Sequence, residues 1–432
     1  VGKSPKAEAE AARLAEEARK ADEARRAEEA RLAEERRRAE EARKAEEARQ
    51  AELRRPPSCV ITTTASYAGG IWTWTVDGAG STADPAAKSM TVTFTGPGGE
   101  SVTRPAFWDG GSAWKVRFAP TAVGSWNWQT ECSDQTNDGL NGRSGHLECV
   151  PAEGDNPCYR HGFLKVSDNR RHFVHADGTP FFWLGDTHWQ MPDTERLDVC
   201  NHPEHAGQTC PHGGQFQHLL ADRRAKGFTV YQTYPSATNP AWWTTPHTAI
   251  NPQRFRDVFD GQMNHLAEQG LVIALGFGHF NNSTKIPVDD LRRWARYLVA
   301  RYGAHPVVWI TCQEMNAPED GGRNRIDVWR AIAEEIQRAD GYGHPHSAHQ
   351  WVLDARTRPL GNESWHDWFA LQGGHRGSRL TPQARYAEYF AFQPVRPVLE
   401  TEAMYELVDC GGVADTDDAR RSAWKALLCG CA

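Results

Sequence analysis

The sequence predicts a multidomain fold: a long single α-helix, a small antiparallel β-sandwich, and a (β/α)8 TIM-type barrel that stops before its last strand. Three observations carry it. Residues 7–53 are almost pure Ala, Glu, Arg and Lys with no Gly or Pro. Period-2 runs rich in Thr, Val and aromatics follow, broken by turn residues. Beyond Cys158, short apolar strands alternate with amphipathic helices. The expected boundaries are 1–56 for the helix, 57–152 for the sandwich and 153–432 for the barrel.

The helix follows from its repeat. The unit Ala-Glu-Glu-Ala-Arg-Lys recurs, as at 39–44, so each Glu has a cation three or four residues later, the favourable order for a helical ion pair. Alanine falls mostly every third residue and therefore spirals around the axis. Leu14, Leu32 and Leu53 are too few for a heptad seam. A solvated spacer of about 70 Å is expected, with a weak coiled coil as the alternative. Pro56-Pro57 ends it.

The sandwich rests on runs such as Ile71-Trp72-Thr73-Trp74-Thr75-Val76, Met90-Thr91-Val92-Thr93-Phe94 and Trp126-Asn127-Trp128. Sheet packing is the plain role for their aromatics, and a glycan-binding face is the sharper one. For the barrel, strands are expected at 181–185, 229–233, 271–276, 307–311, 351–354, 369–372 and 397–399. Helical stretches lie between them at 216–226, 252–269, 288–302, 325–338 and 382–392. Such alternation predicts a parallel sheet. No G-x-G-x-x-G opens a helix, which disfavours a nucleotide fold. The sequence ends after a helical pattern at 417–428, where an eighth strand is due, so truncation is expected.

Bulk properties bound the partners. The chain of 432 residues is 39% hydrophobic with 17 Trp, enough for large cores. A net charge of −7 disfavours a nucleic-acid partner. No apolar run reaches the roughly 18 to 20 residues of a membrane span. Ten cysteines suggest an oxidising, extracytoplasmic setting, secreted or at the cell surface. Cys200 with Cys210, and Cys132 with Cys149, are the candidate disulfides. His202, His205 and His212 beside the first pair could suggest a metal, but the spacing fits no zinc motif. No metal or other cofactor is expected. Cys312 reads as a buried small hydrophobe sooner than a nucleophile. The stretch Asn281-Asn282-Ser283-Thr284 reads as an exposed loop with glycosylation sequons.

In such barrels chemistry sits at the C-terminal strand ends. There stand Asp186, His188 and Trp189 after the first strand, Gln232 on the second and His279 after the third. Gln313, Glu314 and Asn316 follow the fourth, His375 the sixth, and Glu402 and Tyr405 the seventh. Two strand-end carboxyl groups suit glycosidic cleavage, in which one protonates the leaving oxygen while the other attacks the anomeric carbon or activates water. Glu314 and Glu402 are that candidate pair. Asp186, His188, Gln232, His279, Gln313, Asn316 and His375 are candidates for holding sugar hydroxyls, with Trp189 and Tyr405 lining a ring face. The partner expected is a glycan. The alternative is a non-catalytic carbohydrate-binding or cell-surface structural protein.

Phe181-Phe182-Trp183-Leu184-Gly185-Asp186-Thr187-His188-Trp189 resembles the opening strand of the apiosidase-like family of barrel glycoside hydrolases. So does the stretch before it, from His161-Gly162-Phe163-Leu164 to His175-Ala176-Asp177-Gly178-Thr179-Pro180. His305-Pro306-Val307-Val308-Trp309-Ile310 with Gln313-Glu314-Met315-Asn316 is similar to that family's fourth strand, with Gln-Glu where a Gly-Asp pair commonly carries the acid/base. Arg396-Pro397-Val398-Leu399-Glu400-Thr401-Glu402-Ala403-Met404-Tyr405-Glu406 is similar to its seventh-strand motif, with Thr401 for Gly and Ala403 for Pro. Residues 107–120 look like the small sandwich fused ahead of these barrels. The resemblance implies retaining hydrolysis with Glu402 as nucleophile and Glu314 as acid/base.

Overall fold

A computed structural model describes residues 65–68, 71–77, 88–195, 197, 214–317, 325–350, 360–373, 383–407 and 413–432, with scattered positions between 16 and 44. The chain forms two units, 1–55 and 56–432. In the first, every placed residue is helical. Glu34 pairs with Arg37 at 2.8 Å and Glu40 with Lys44 at 2.7 Å, the spacing that the repeat anticipates.

In the second unit two sheets face one another. The five-stranded sheet runs in the order Ala65–Ala68, Ser144–Val150, Gly124–Cys132, Met90–Thr95, Ser101–Pro105. The three-stranded sheet holds Trp72–Asp77, Ala113–Phe118 and Phe107–Trp108. The first strand pairs parallel with Ser144–Val150, which departs from a purely antiparallel sandwich. The intervening strands serve as the long crossover that a parallel pair needs. Trp74, Trp114, Trp126 and Trp128 are buried in the core between the sheets with Phe94 and Phe118. These aromatics pack; they form no exposed face.

Cys132 and Cys149 are free thiols, which corrects the expected disulfide. Their strands pair antiparallel with Gly124 opposite Cys149 and Gln129 opposite Ser144. The two sulfurs therefore sit at opposite ends of the ladder, about eight residues or 25 Å apart at 3.3 Å per residue, far beyond a disulfide's reach. Cys200, Cys210 and the neighbouring histidines lie outside the described residues, among which no group of His, Cys, Asp and Glu could hold a metal.

Buried arginines fasten the sandwich to the barrel. Arg117 donates to Asp260 Oδ2 at 2.8 Å and to the Arg301 carbonyl at 2.8 Å. Arg301 in turn reaches Asp260 at 2.6 Å and Asp109 at 2.8 Å, and Arg104 caps the Val299 carbonyl. Burial opposes ionisation of Asp260, yet Arg117 and Arg301 hold its carboxyl well below the usual range.

Seven parallel strands form the barrel among the described residues: β1 (Gly185–Thr187), β2 (Val230–Thr233), β3 (Val272–Gly276), β4 (Val307–Ile310), β5 (His346–Ser347), β6 (Phe369–Gln372) and β7 (Val398–Glu402). β1 to β5 pair in sequence, β6 pairs β7, and an isolated bridge between His349 and Ala370 places β6 beside the fifth strand. Helices α1 (Gln215–Ala225), α2 (Asp260–Glu268), α3 (Val288–Tyr302), α4 (Arg325–Ala339), α5 (Gln383–Phe390) and α6 (Thr416–Leu428) alternate with them. Val230, Val272, Ala274, Val308, Ile310, Ala370 and Leu399 fill the interior. Thr187 Oγ1 and Gln232 Nε2 both donate to the Thr401 carbonyl at 2.9 Å, tying β1 and β2 to the end of β7.

Two strands differ from the sequence reading. The first barrel strand starts at Gly185, because Pro180–Phe181 pairs instead with Phe173–His175 in a small antiparallel sheet. The fifth is His346–Ser347, whose polar side chains are buried: His346 Nε2 lies 2.8 Å from Thr311 Oγ1, and Ser347 Oγ donates to the Trp368 carbonyl at 2.5 Å. The segment expected there, 351–354, lies outside the described residues. The sequon at Asn282 is buried, and its Oδ1 accepts the His279 N–H, so it is no exposed loop. No described helix is long and apolar enough to cross a membrane.

Candidate active site

Glu314 follows β4 with φ +56°, a left-handed conformation that is sparsely populated for a residue with a side chain. The turn is held by His349, which follows β5. Its carbonyl accepts the Met315 N–H at 2.9 Å, and its Nδ1 accepts the Glu314 N–H at 3.3 Å. The Glu314 side chain is 16% exposed. Gln372 Nε2, at the end of β6, donates to its Oε1 at 3.1 Å.

Glu402 reaches the same place through a β-bulge. β6 and β7 stay in step from Phe369 opposite Val398 to Leu371 opposite Glu400, and then Gln372 faces Glu402, leaving Thr401 as the extra residue. Leu399 points into the barrel interior, so simple alternation would turn Thr401 inward and Glu402 outward. The extra residue reverses this and aims Glu402 with Gln372 into the barrel. Its carboxylate is buried, accepts the Tyr405 hydroxyl at 2.7 Å and has His349 Nε2 3.1 Å from Oε2.

Two imidazoles thus share one arrangement. Nδ1 of His349 accepts a backbone N–H, which leaves the ring proton on Nε2, facing Glu402. Nδ1 of His279 accepts the Asn281 N–H at 3.5 Å, and its Nε2 lies 3.7 Å from Glu314 Oε2. Burial pushes the His279 pKa down, against the pull of the Glu314 and Glu402 charges. Burial first, and then the Glu402 and Glu314 charges, raise the Tyr405 hydroxyl, which stays protonated and able to donate. Both carboxyl groups act on both rings, so they share one site.

Of the other expected residues, Trp189 joins the site, its ring edge-on to His349 at 4.9 Å between centroids. Gln313 and Asn316 are buried around Glu314. Three are engaged elsewhere. Asp186 pairs with Arg223, His188 Nδ1 lies 2.8 Å from the Tyr231 hydroxyl, and Gln232 is spent on the Thr401 carbonyl. His375 lies outside the described residues. The sequence reading missed His349, which lies just before the segment expected as the fifth strand, and Gln372, whose position at a strand end was visible but whose partner was not. Cys312 is fully buried, and burial pushes its thiol far up, which rules against a thiolate. Two clefts elsewhere, of about 640 Å³ and 390 Å³, contain neither carboxylate.

The apiosidase-like catalytic-domain model matches residues 167–432, and a domain of unknown function, DUF5060, matches residues 68–133. No curated protein matches the chain in sequence. Among solved structures, a protein of Bacteroides vulgatus ATCC 8482 described as a candidate glycoside hydrolase superposes with TM-score 0.59 at 17% identity, over 78% of this chain and 64% of its own. Another, described as a glycoside hydrolase, superposes with TM-score 0.50 at 20% identity, over 65% of this chain and 66% of its own. The chain thus spans a little under two thirds of the length of each, and at these identities the likeness is one of fold.

Proposed function

The chain belongs to the apiosidase-like family, and on that footing we propose that it is a secreted or cell-surface glycoside hydrolase acting with retention on a glycan. The observation that carries this reading is the convergence of Glu314 and Glu402, from the ends of β4 and β7, on His349 and Gln372.

Glu402 is the nucleophile. The Tyr405 hydroxyl donates to its Oε1, and the His349 ring lies against its Oε2. Its oxygen bonds to the anomeric carbon as the bond from that carbon to the leaving oxygen breaks. Glu314 gives its proton to that oxygen. Water then attacks the anomeric carbon, Glu314 takes the water's proton, and Glu402 departs. The glutamate at this position, where the family commonly has aspartate, moves the acid outward by one methylene. Trp189 offers an apolar ring to a sugar face, and His279 and Gln372 orient Glu314 and neighbouring hydroxyls.

The test is a panel of pentose- and hexose-containing polysaccharides and 4-nitrophenyl glycosides, run with wild type, Glu314→Gln and Glu402→Gln. The reading expects hydrolysis by wild type and its loss in both variants with glycan binding retained. Equal behaviour of all three proteins would favour a non-catalytic carbohydrate-binding protein and sink the enzyme reading.

A further inference from the structure

The bulge that aims Glu402 leaves a backbone donor to be satisfied, and a second carboxyl meets it. Glu400 precedes the bulge and faces away from the barrel interior, toward α5. Its Oε1 accepts the Gly373 N–H at 2.7 Å, and its Oε2 accepts the Tyr386 hydroxyl at 2.5 Å. One side chain of β7 therefore holds the peptide just after Gln372 on β6. Gln372 and Glu402 are the two residues that the bulge sets opposite each other.

We propose that Glu400 is a positioning residue that locks the β7 bulge and so keeps the Glu402 carboxylate, and Gln372 beside it, aimed at the substrate. It touches no substrate. It acts through the Gly373 N–H, which adjoins Gln372, and so ties β6 to β7 at the bulge. A register slip of one residue would turn Glu402 out of the barrel, and the Glu400 carboxyl is the link across the two strands that opposes this slip. Tyr386, carried on α5, holds the carboxyl from outside and couples the lock to the helix that follows β6. The inference rests on the proposed role of Glu402 and adds a residue that controls it.

The experiment compares Glu400→Leu, Glu400→Asp and Glu400→Gln in the full chain, using whichever 4-nitrophenyl glycoside the wild type hydrolyses. Leu removes every acceptor, and Asp draws the carboxyl back by one methylene from the Gly373 N–H and the Tyr386 hydroxyl. Gln keeps an acceptor oxygen in place. Misaiming a reacting group by about 1 Å costs about a hundredfold. The expected result is a kcat lower by roughly ten- to a hundredfold for Leu and Asp, with KM within about twofold, and recovery to within about threefold of wild type for Gln. Wild-type kcat in the Asp variant, or a Gln variant as impaired as Asp, overturns the inference. If Leu does not fold, the contrast between Asp and Gln decides alone. Glu402→Gln measured alongside separates the two claims: if it matches wild type, the function proposed above fails, whereas if it is inactive and Asp is not impaired, only the role of Glu400 fails.

Discussion

His349 Nε2 lies 3.1 Å from Glu402 Oε2, while Nδ1 of the same ring accepts the Glu314 backbone N–H at 3.3 Å. One imidazole therefore lies between the proposed nucleophile and the turn that presents the proposed acid. The hydrogen bond that the ring accepts from the Glu314 N–H contributes about 0.5–1.5 kcal/mol, which corresponds to roughly two- to tenfold in rate if it acts in the transition state. His349→Phe keeps the ring volume and removes both nitrogens. Its kcat is expected to fall by that factor, and steady-state kinetics on an active glycoside checks it.

Glu314→Gln keeps the hydrogen bond from Gln372 in reach but has no proton to give. General acid catalysis contributes about 10² to 10⁴, so its kcat on poor leaving groups should fall by that much. On a dinitrophenyl glycoside, whose leaving group needs little protonation, the loss should be far smaller. A uniform loss on both substrates would contradict the acid role.

Glu400 gives a pH prediction. Burial pushes its carboxyl up to about 8, far above the usual carboxylate range, with the Glu402 charge adding to this and the hydrogen bonds from Tyr386 and the Gly373 N–H opposing it. A raised folded-state pKa means that its favourable contribution is complete below about 4.5 and is lost as pH rises through about 8. Glu400→Gln has no such charge to bury. Its stability relative to wild type should therefore rise between these pH values, by on the order of 2 kcal/mol after allowing for solvent at the edge of the site. Urea unfolding at pH 5 and pH 9 measures it, and parallel curves at both pH values would contradict it.

Asp260→Asn breaks the lock between sandwich and barrel, leaving Arg117 and Arg301 buried beside a neutral amide. Breaking one partner of a buried ion pair costs about 3–5 kcal/mol, and chemical denaturation of the purified variant should show a loss of that order. Replacing Arg117 with Met should cost less, because Asp260 keeps Arg301. Equal, negligible losses would mean that the sandwich rides on the barrel without supporting it.

Much of this architecture is visible in the sequence, because alternation and helical periodicity report which faces are buried. The runs around Trp74, Phe94, Trp126 and Trp128 fold as the alternation indicates, and β2, β3, β4, β6 and β7 fall within a few residues of their apolar patterns. The fifth strand escaped because His346 and Ser347 are polar, and their partners Thr311 and Trp368 are distant in sequence. The absence of a Cys132–Cys149 bond depends on strand register, which the spacing of two cysteines does not encode. At the site, Glu314 and Glu402 stand out as strand-end acids. The bulge that turns Glu402 inward leaves no local signature, and neither does the diversion of Asp186 to Arg223, since both follow from pairing between distant segments.

The most direct measurement is to inactivate the enzyme with the 2-deoxy-2-fluoro analogue of an aryl glycoside that it cleaves, and to map the modified residue by peptide mass spectrometry. The account predicts one sugar per chain, attached to Glu402. A label on any other side chain, or turnover by the enzyme with no covalent adduct and an inverted product, would contradict it.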